Sequence, residues 1–355
     1  MGVRLDRLRA EMTSRGLDAM LISCTVNQSW ACDFDFEDGY LLVCSERAYL
    51  ITDPRYIEAA RREADGAFLC ECASADIGEM LCSYLSDNNA KRIGIEDMEM
   101  SYHSAMRFKE ALYPYEVVPT GSMLDDLRAK KDPDEIEKII EAQRITDAAF
   151  SHILGYIREG VSERDIAIEL EFFMRRMGAS SVSFDIICAS GSASSMPHAV
   201  VRSTPIERGF ITIDMGCIYR GYCSDMTRTI VLGRADAEMR ALYDTVLRSQ
   251  TAALDFITDG VRCADADRVA REITERDYPA LFSHSLGHGV GRRIHESPRL
   301  SSRAGDKRLA RGHVVTVEPG IYIEGKYGCR IEDMLVIGDG CARNITKSTK
   351  ELIEL

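Results

Sequence analysis

The order of apolar patterns predicts two domains, an α/β domain over residues 1–125 and an α+β domain over residues 126–355. Three observations lead there. Through the first 120 or so residues, short β-prone runs alternate with helical periodicities, as in a sheet covered by helices. Residues 120–132 form a candidate boundary, and Asp132-Pro133-Asp134-Glu135 then opens a new helix strongly. Beyond it, helices and β-hairpins follow in an order that suggests an antiparallel or mixed sheet with helices on one face. A length of 355 residues suits two domains.

Residues 3–15 predict a helix, with Leu5, Leu8 and Met12 on one face and Gly16 as its stop. A strand follows at 17–23. Runs at 40–44 and 48–52 pair through Ser45-Glu46-Arg47. Helices are expected at 55–64, 77–85 and 101–112, and strands at 92–96 and 115–119. Residues 25–39, TVNQSWACDFDFEDG, read as a long polar loop carrying the single tryptophan, Trp30. Its plain reading is a surface connection, although long loops in compact domains often carry function. At Asp132 an Asp cap, a first-turn Pro and acids against the dipole start a helix that runs to about 159. Ser162 and Asp165 resemble a capping box for a second helix, to about 177. Residues 211–216 and 222–230 form a hairpin turning at Tyr219-Arg220-Gly221. Two helices follow it, over 235–258 and 264–276.

Composition excludes several classes. The hydrophobic share is 45% and the charged share 28%, an ordinary globular balance with ample core. A net charge of −13 argues against nucleic-acid binding, which needs a basic face. No apolar run is long enough to span a membrane. The amphipathic start MGVRLDRLRAEM lacks a signal-peptide core, so a cytoplasmic location is expected. The twelve cysteines contain no C-x-x-C spacing and sit mostly in apolar runs, as reduced core thiols do.

The hairpin carries two carboxylates, Asp214 and Asp225, in apolar β-prone sequence. Buried carboxylates are costly unless paired or bound to metal, yet this pair alone fits two solvated residues equally well. Further clusters tip the balance. LGHGVG flanks His288 with glycines, and VVTVEPG ends a β-branched strand on Glu318. RIED places Glu332 ahead of an apolar strand at 334–337, while SMPH and HESP set His198 and His295 beside prolines in loop-like sequence. Together Asp214, Asp225, Glu318 and Glu332 carry a charge of −4, which two divalent cations match. Hard carboxylates with one imidazole, His288, suit Mn, Co or Zn. Two such ions close together can yield hydroxide at neutral pH. Without metal, four converging carboxylates would repel strongly.

These motifs make the sequence resemble the creatinase/aminopeptidase metallopeptidase family with the "pita-bread" fold, and within it the proline-specific Xaa-Pro dipeptidases (prolidases) and aminopeptidase P. The likeness is densest in IDMGCIYRGYCSDMTRT, GHGVGRRIHESPRLS, TVEPGIY, GCRIEDM and ASGSASSMPH. DGYLLV, YLITDPRYIEAA and LRAKKDPDEIEKI match the N-terminal half more loosely. The resemblance implies an N-terminal creatinase/prolidase-like α/β domain that dimerises and shapes the site, and a pita-bread catalytic domain. It implies two metal ions, Mn first with Co or Zn as alternatives. Asp225 and Glu332 would bridge them, Asp214 would serve mainly one, and His288 with Glu318 the other. A metal-bridging hydroxide would attack the Xaa-Pro bond and Glu318 would take the proton. His198 would move protons or contact the substrate amide, and His295 would steady the oxyanion. His284 would line the proline pocket, Arg330 would order the ligands, and Arg299 would clamp a dipeptide's carboxylate. The last point favours a dipeptidase over aminopeptidase P. A homodimer is implied, with the Trp30 loop a candidate to reach the partner's site.

Other readings are weighed against this one. Metal-free creatinase shares the fold but would lack the ligands, all of which are present here. A catalytically dead binding protein on the same scaffold would lose ligands and gain basic segments, and neither is seen. Methionine aminopeptidase shares the ligands but normally lacks such an N-terminal domain.

Overall fold

The structure, a computed structural model, describes residues 2–355. The chain divides into two compact units, Met1–Arg128 and Ala129–Leu355.

The first unit is built on a six-stranded mixed sheet in the order Phe68–Cys72, Ala48–Thr52, Gly39–Cys44, Ala19–Ile22, Arg92–Ile95, Glu116–Pro119. The central Ala19–Ile22 strand is buried along its whole length. Its period-two alternation splits the apolar side chains between two cores. Met20 and Ile22 meet Leu41, Val43 and Leu50 on one face, where Leu5 and Leu8 of the Val3–Ser14 helix pack. Ala19 and Leu21 meet Leu42 and Ile51 on the other, under Leu81 and Leu85 of the Ile77–Asp87 helix. The predicted α/β layering is thus observed.

Residues 25–39 depart from the surface loop expected of them. They open with a helix, Thr25–Cys32, whose residues Asn27 to Cys32 are buried. Trp30 is fully enclosed, so it is not a side chain offered to a partner's site. The reason is that polar groups in this segment find partners within the unit. The Glu96 carboxylate accepts from the Cys24 amide at 2.8 Å and from Asn27 Nδ2 at 2.6 Å. Gln28 Nε2 donates to the Ile22 and Gly39 carbonyls at 3.1 and 2.9 Å. Polar sequence goes inside when its hydrogen bonds are met there.

The second unit contains two helix-on-sheet halves. In one, the helices Pro133–Ile153 and Glu163–Arg176 lie over the sheet Met226–Leu232, Gly209–Met215, Ile187–Ser190. Both helices start with reciprocal capping boxes, Asp132 with Glu135 and Ser162 with Asp165. In the other, Ala237–Phe256 and Cys263–Asp277 lie over the sheet Glu296–Leu300, Gly287–Gly289, Val314–Val317, Asp333–Gly338, Cys341–Asn344. The Glu332 amide donates to the Thr227 carbonyl at 3.1 Å and joins the two sheets. The segment around His295, expected as loop, runs into a strand at Glu296–Leu300. Pro298 is tolerated there because the strand lies on the sheet's edge.

The predicted hairpin forms, with Asp214 opposite Thr227. Its turn puts Arg220 and Gly221 at φ 47° and 77°, the left-handed pair that a tight β-turn requires. The ladder breaks once. At Gly216 the Ser224 carbonyl comes so close that any Cβ would overlap it. Asp225 follows this break, outside either strand.

Candidate metal centre

Four of the five expected ligands sit at strand ends or breaks, and His288 lies in a three-residue strand, Gly287–Gly289. Asp214 and Asp225 come from the first sheet, and His288, Glu318 and Glu332 from the second. All five line one cavity of about 770 Å³, together with His198, His284, His295, Arg299 and Arg330. His288 Nε2 lies 3.5 Å from Asp225 Oδ2 and 3.4 Å from Glu318 Oε1. Ligand atoms of Asp225, His288 and Glu332 all fall within 4.8 Å of one another.

The donor atoms are prepared for an ion. Asp214 Oδ2 accepts from Arg330 Nη2 at 2.7 Å, and Glu332 Oε2 accepts from Thr227 Oγ1 at 2.8 Å. The second oxygens, Asp214 Oδ1 and Glu332 Oε1, are buried without a partner among the described residues. Buried carboxylate oxygens rarely stay unsatisfied, and a cation would satisfy both. His288 Nδ1 lies 3.1 Å from the Gly289 carbonyl, which accepts a hydrogen bond from Nδ1–H and leaves the Nε2 lone pair free to ligate.

Electrostatics agree. Burial raises the pKa of Asp225 far above the ordinary range, and Glu332, Asp214 and Glu318 add repulsion. Glu332 is raised by burial and then by Glu318 and Asp214. Burial pushes Glu318 up to about 8, with Arg330 opposing and Asp214 adding. Burial brings His288 down to about 4, helped by His295. Such a set holds protons until a cation displaces them. Hard oxygens with one imidazole fit Mn, Co or Zn.

The remaining expected residues surround this cluster. The His295 ring packs edge-on against His288 with centroids 4.4 Å apart. Its pKa is lowered by burial and then by the Arg299 charge. His198 is exposed on the cavity wall. His284 reaches the cavity with both ring nitrogens engaged. Nδ1 lies 2.9 Å from the Ser285 carbonyl and Nε2 2.9 Å from the Tyr322 hydroxyl. Arg330 Nη1 donates to the same hydroxyl at 2.7 Å, so Tyr322 donates onward to His284 Nε2. Burial drives the His284 pKa down to about 3, which keeps that nitrogen an acceptor.

Three further residues hold this cluster in place. Thr316 Oγ1 bonds Glu318 Oε1 at 3.2 Å and accepts from the His288 amide at 3.1 Å. Thr227 ties Glu332, and Tyr322 links His284 to Arg330. In the sequence both threonines look like ordinary β-branched strand residues, and Thr227 is marked only by its place opposite Asp214. Nothing local singles out Tyr322.

Residues 137–339 match Metallopeptidase family M24, and residues 4–130 match the Creatinase/Prolidase N-terminal domain. The chain belongs to metallopeptidase family M24. M24 metallopeptidases use divalent metal ions, and the second unit has the pita-bread fold expected of it. The chain is 36% identical to the Xaa-Pro dipeptidase of Pyrococcus furiosus, over 99% of this chain and 100% of that one. It is 40% identical to the solved Xaa-Pro dipeptidase from Bacillus anthracis, with a TM-score of 0.95 and 99% of each chain covered. The X-Pro aminopeptidase from Thermotoga maritima gives 35% identity and a TM-score of 0.92, over 99% of this chain and 100% of that one. No helix among the described residues is long and apolar enough to cross a membrane.

Proposed function

We propose that this M24 metallopeptidase hydrolyses the Xaa-Pro bond of dipeptides. The observation that carries the reading is the cluster of Asp214, Asp225, His288, Glu318 and Glu332, with orphan oxygens on Asp214 and Glu332, lining a cavity that also holds Arg299. Two divalent ions, Mn first with Co or Zn as alternatives, would be held by these five residues, Asp225 and Glu332 serving both. When bound, they supply Lewis acidity and acidify water at the reacting carbonyl.

The chain's own groups do the rest. Glu318 Oε1, which faces the cavity beside His288, takes and returns the proton. His295 stays neutral at pH 7 and donates an N–H to the developing oxyanion. His198, on the cavity wall, meets the substrate amide. The Arg299 guanidinium suits the free carboxylate bidentately. Arg330 holds Asp214 in place. His284, whose nitrogens are occupied, offers ring carbons to the proline ring.

We also propose that the N-terminal domain shapes the site within a homodimer working in the cytoplasm, where all twelve cysteines stay free. A second reading, release of the first residue from longer Xaa-Pro peptides, is favoured by the cavity. At about 770 Å³ it lies toward the roomy end of small-molecule sites. The test is hydrolysis of an Xaa-Pro dipeptide and the same peptide extended by two residues, with Mn²⁺-loaded protein. Cleavage of the dipeptide alone supports the first reading, and cleavage of the longer peptide the second. Failure on both, with metal bound, defeats the proposal.

A further inference from the structure

His198 is an exposed residue in the loop after the short 3-10 helix Gly191–Ser195. Its side chain makes no hydrogen bond among the described residues, so its place depends on the backbone that carries it. That backbone is clamped at both ends by one side chain. Glu163, the first residue of the Glu163–Arg176 helix, is fully buried. Its Oε1 accepts from the Ser190 amide at 2.8 Å, the Ser190 hydroxyl at 2.9 Å and Arg202 Nη2 at 2.6 Å. Its Oε2 accepts from the Arg202 amide at 2.9 Å and Arg202 Nε at 3.0 Å. Arg202 Nη2 also donates to the Ser190 carbonyl at 3.0 Å, closing the loop on itself. Gly191 follows at φ 56°, packed so tightly on Glu207 that a Cβ would overlap that carboxylate.

We infer that Glu163 is a positioning residue for His198: its carboxylate fastens Ser190 to Arg202, the two ends of the segment bearing that histidine. Burial would raise the Glu163 pKa, but bonds from Arg202 and Ser190 outweigh it and hold the carboxyl below its ordinary value. The carboxylate therefore stays charged, and charge-assisted bonds are the strong ones. Glu163 itself does not line the cavity. It acts on substrate only through the loop, where a displacement of about 1 Å is enough to cost about 100-fold in rate.

The inference rests on the proposed Xaa-Pro hydrolysis, so wild-type turnover of an Xaa-Pro dipeptide by Mn²⁺-loaded protein is the control. No wild-type turnover would defeat that reading and leave this clamp's effect to be read on whichever peptide the protein cleaves. The decisive set is Glu163→Gln, His198→Ala and the double variant. Glu163→Gln should lower kcat/KM by about 10- to 100-fold with metal content unchanged. In the His198→Ala background the same change should cost less than about twofold, because the group it positions is gone. Equal losses in both backgrounds, no loss in either, or loss of bound metal would overturn the inference. Should Glu163→Gln fail to fold, Arg202→Lys, which keeps the charge but not the fork, is measured against the same expectations.

Discussion

Arg228 and Asp333 form a fully buried ion pair, one residue away from Thr227 and from the candidate metal ligand Glu332. Arg228 Nη2 lies 2.8 Å from Asp333 Oδ1, and both side chains are only 1% exposed. The guanidinium also donates to the Thr227, Glu332, Ser348 and Thr349 carbonyls. Asp333 Oδ2 accepts from Asn344 and Lys350. Every donor of Arg228 is used, as a buried charge requires. The pair pins the start of the strand Asp333–Gly338 to the strand that begins at Met226.

Asp333→Leu should therefore be far more damaging than its distance from the substrate implies. It leaves a buried guanidinium uncompensated, which costs about 3–5 kcal/mol. Chemical denaturation should show that loss, and metal titration should show weaker binding because Glu332 loses its backbone anchor. Unaltered stability in the variant would mean that the pair carries no structural load.

Glu332→Ala should remove metal binding and hydrolysis together. One Glu332 oxygen is tied to Thr227 and the other is buried without a partner, so the residue has no other task in the cavity. Metal content by elemental analysis and dipeptide turnover are read side by side. Normal turnover with full metal content would sink the ligand assignment.

The ion-free protein should lose stability as pH rises from about 6.5 to about 8. Glu318 has its folded pKa raised from 4.5 to about 8, so its contribution is complete below 4.5 and disappears as pH climbs through 8. Asp225 and Glu332 act in the same direction. His288 works the other way, since its folded pKa falls from 6.5 to about 4 and its contribution is lost as pH drops through that range. Above 6.5 only the carboxyls still act. Melting curves in chelator should fall across this window, whereas Mn²⁺-loaded protein should hold steady. Uptake of Mn²⁺ at pH 7 should also release protons, measurable with an indicator in weak buffer.

Arg299→Ala should impair dipeptides far more than extended Xaa-Pro peptides. Only a dipeptide puts its carboxylate within one residue of the scissile bond. Steady-state kcat/KM on a matched pair decides, and equal losses would remove the argument for a dipeptidase.

The candidate metal ligands are legible as a set, and most clearly where a charge meets an apolar strand with no local partner. Glu318 after VVTV and Glu332 before a buried strand are of this kind. The residues that hold them are not. Thr227 and Thr316 look like ordinary β-branched strand formers until the opposite strand is known. Arg228 and Asp333 stand 105 positions apart, and neither signals the other. Nothing near Glu163 in the sequence announces Ser190 and Arg202, the partners that bury it. The Thr25–Cys32 helix was hidden for the same reason: Asn27 and Gln28 read as surface residues, and what buries them is Glu96 and two distant carbonyls.

The origin of the ligands on two separate sheets has a mechanical consequence. Asp214 and Asp225 belong to one half of the domain, and His288, Glu318 and Glu332 to the other. A cation held by all five would be one more cross-link between halves that the Arg228–Asp333 pair already joins. Its removal would leave the raised carboxyls to take up protons, and that link between the halves would be gone. Resting metal occupancy would then govern how firmly the domain keeps its shape, and a protein starved of metal would be easier to unfold and to degrade before any substrate arrived.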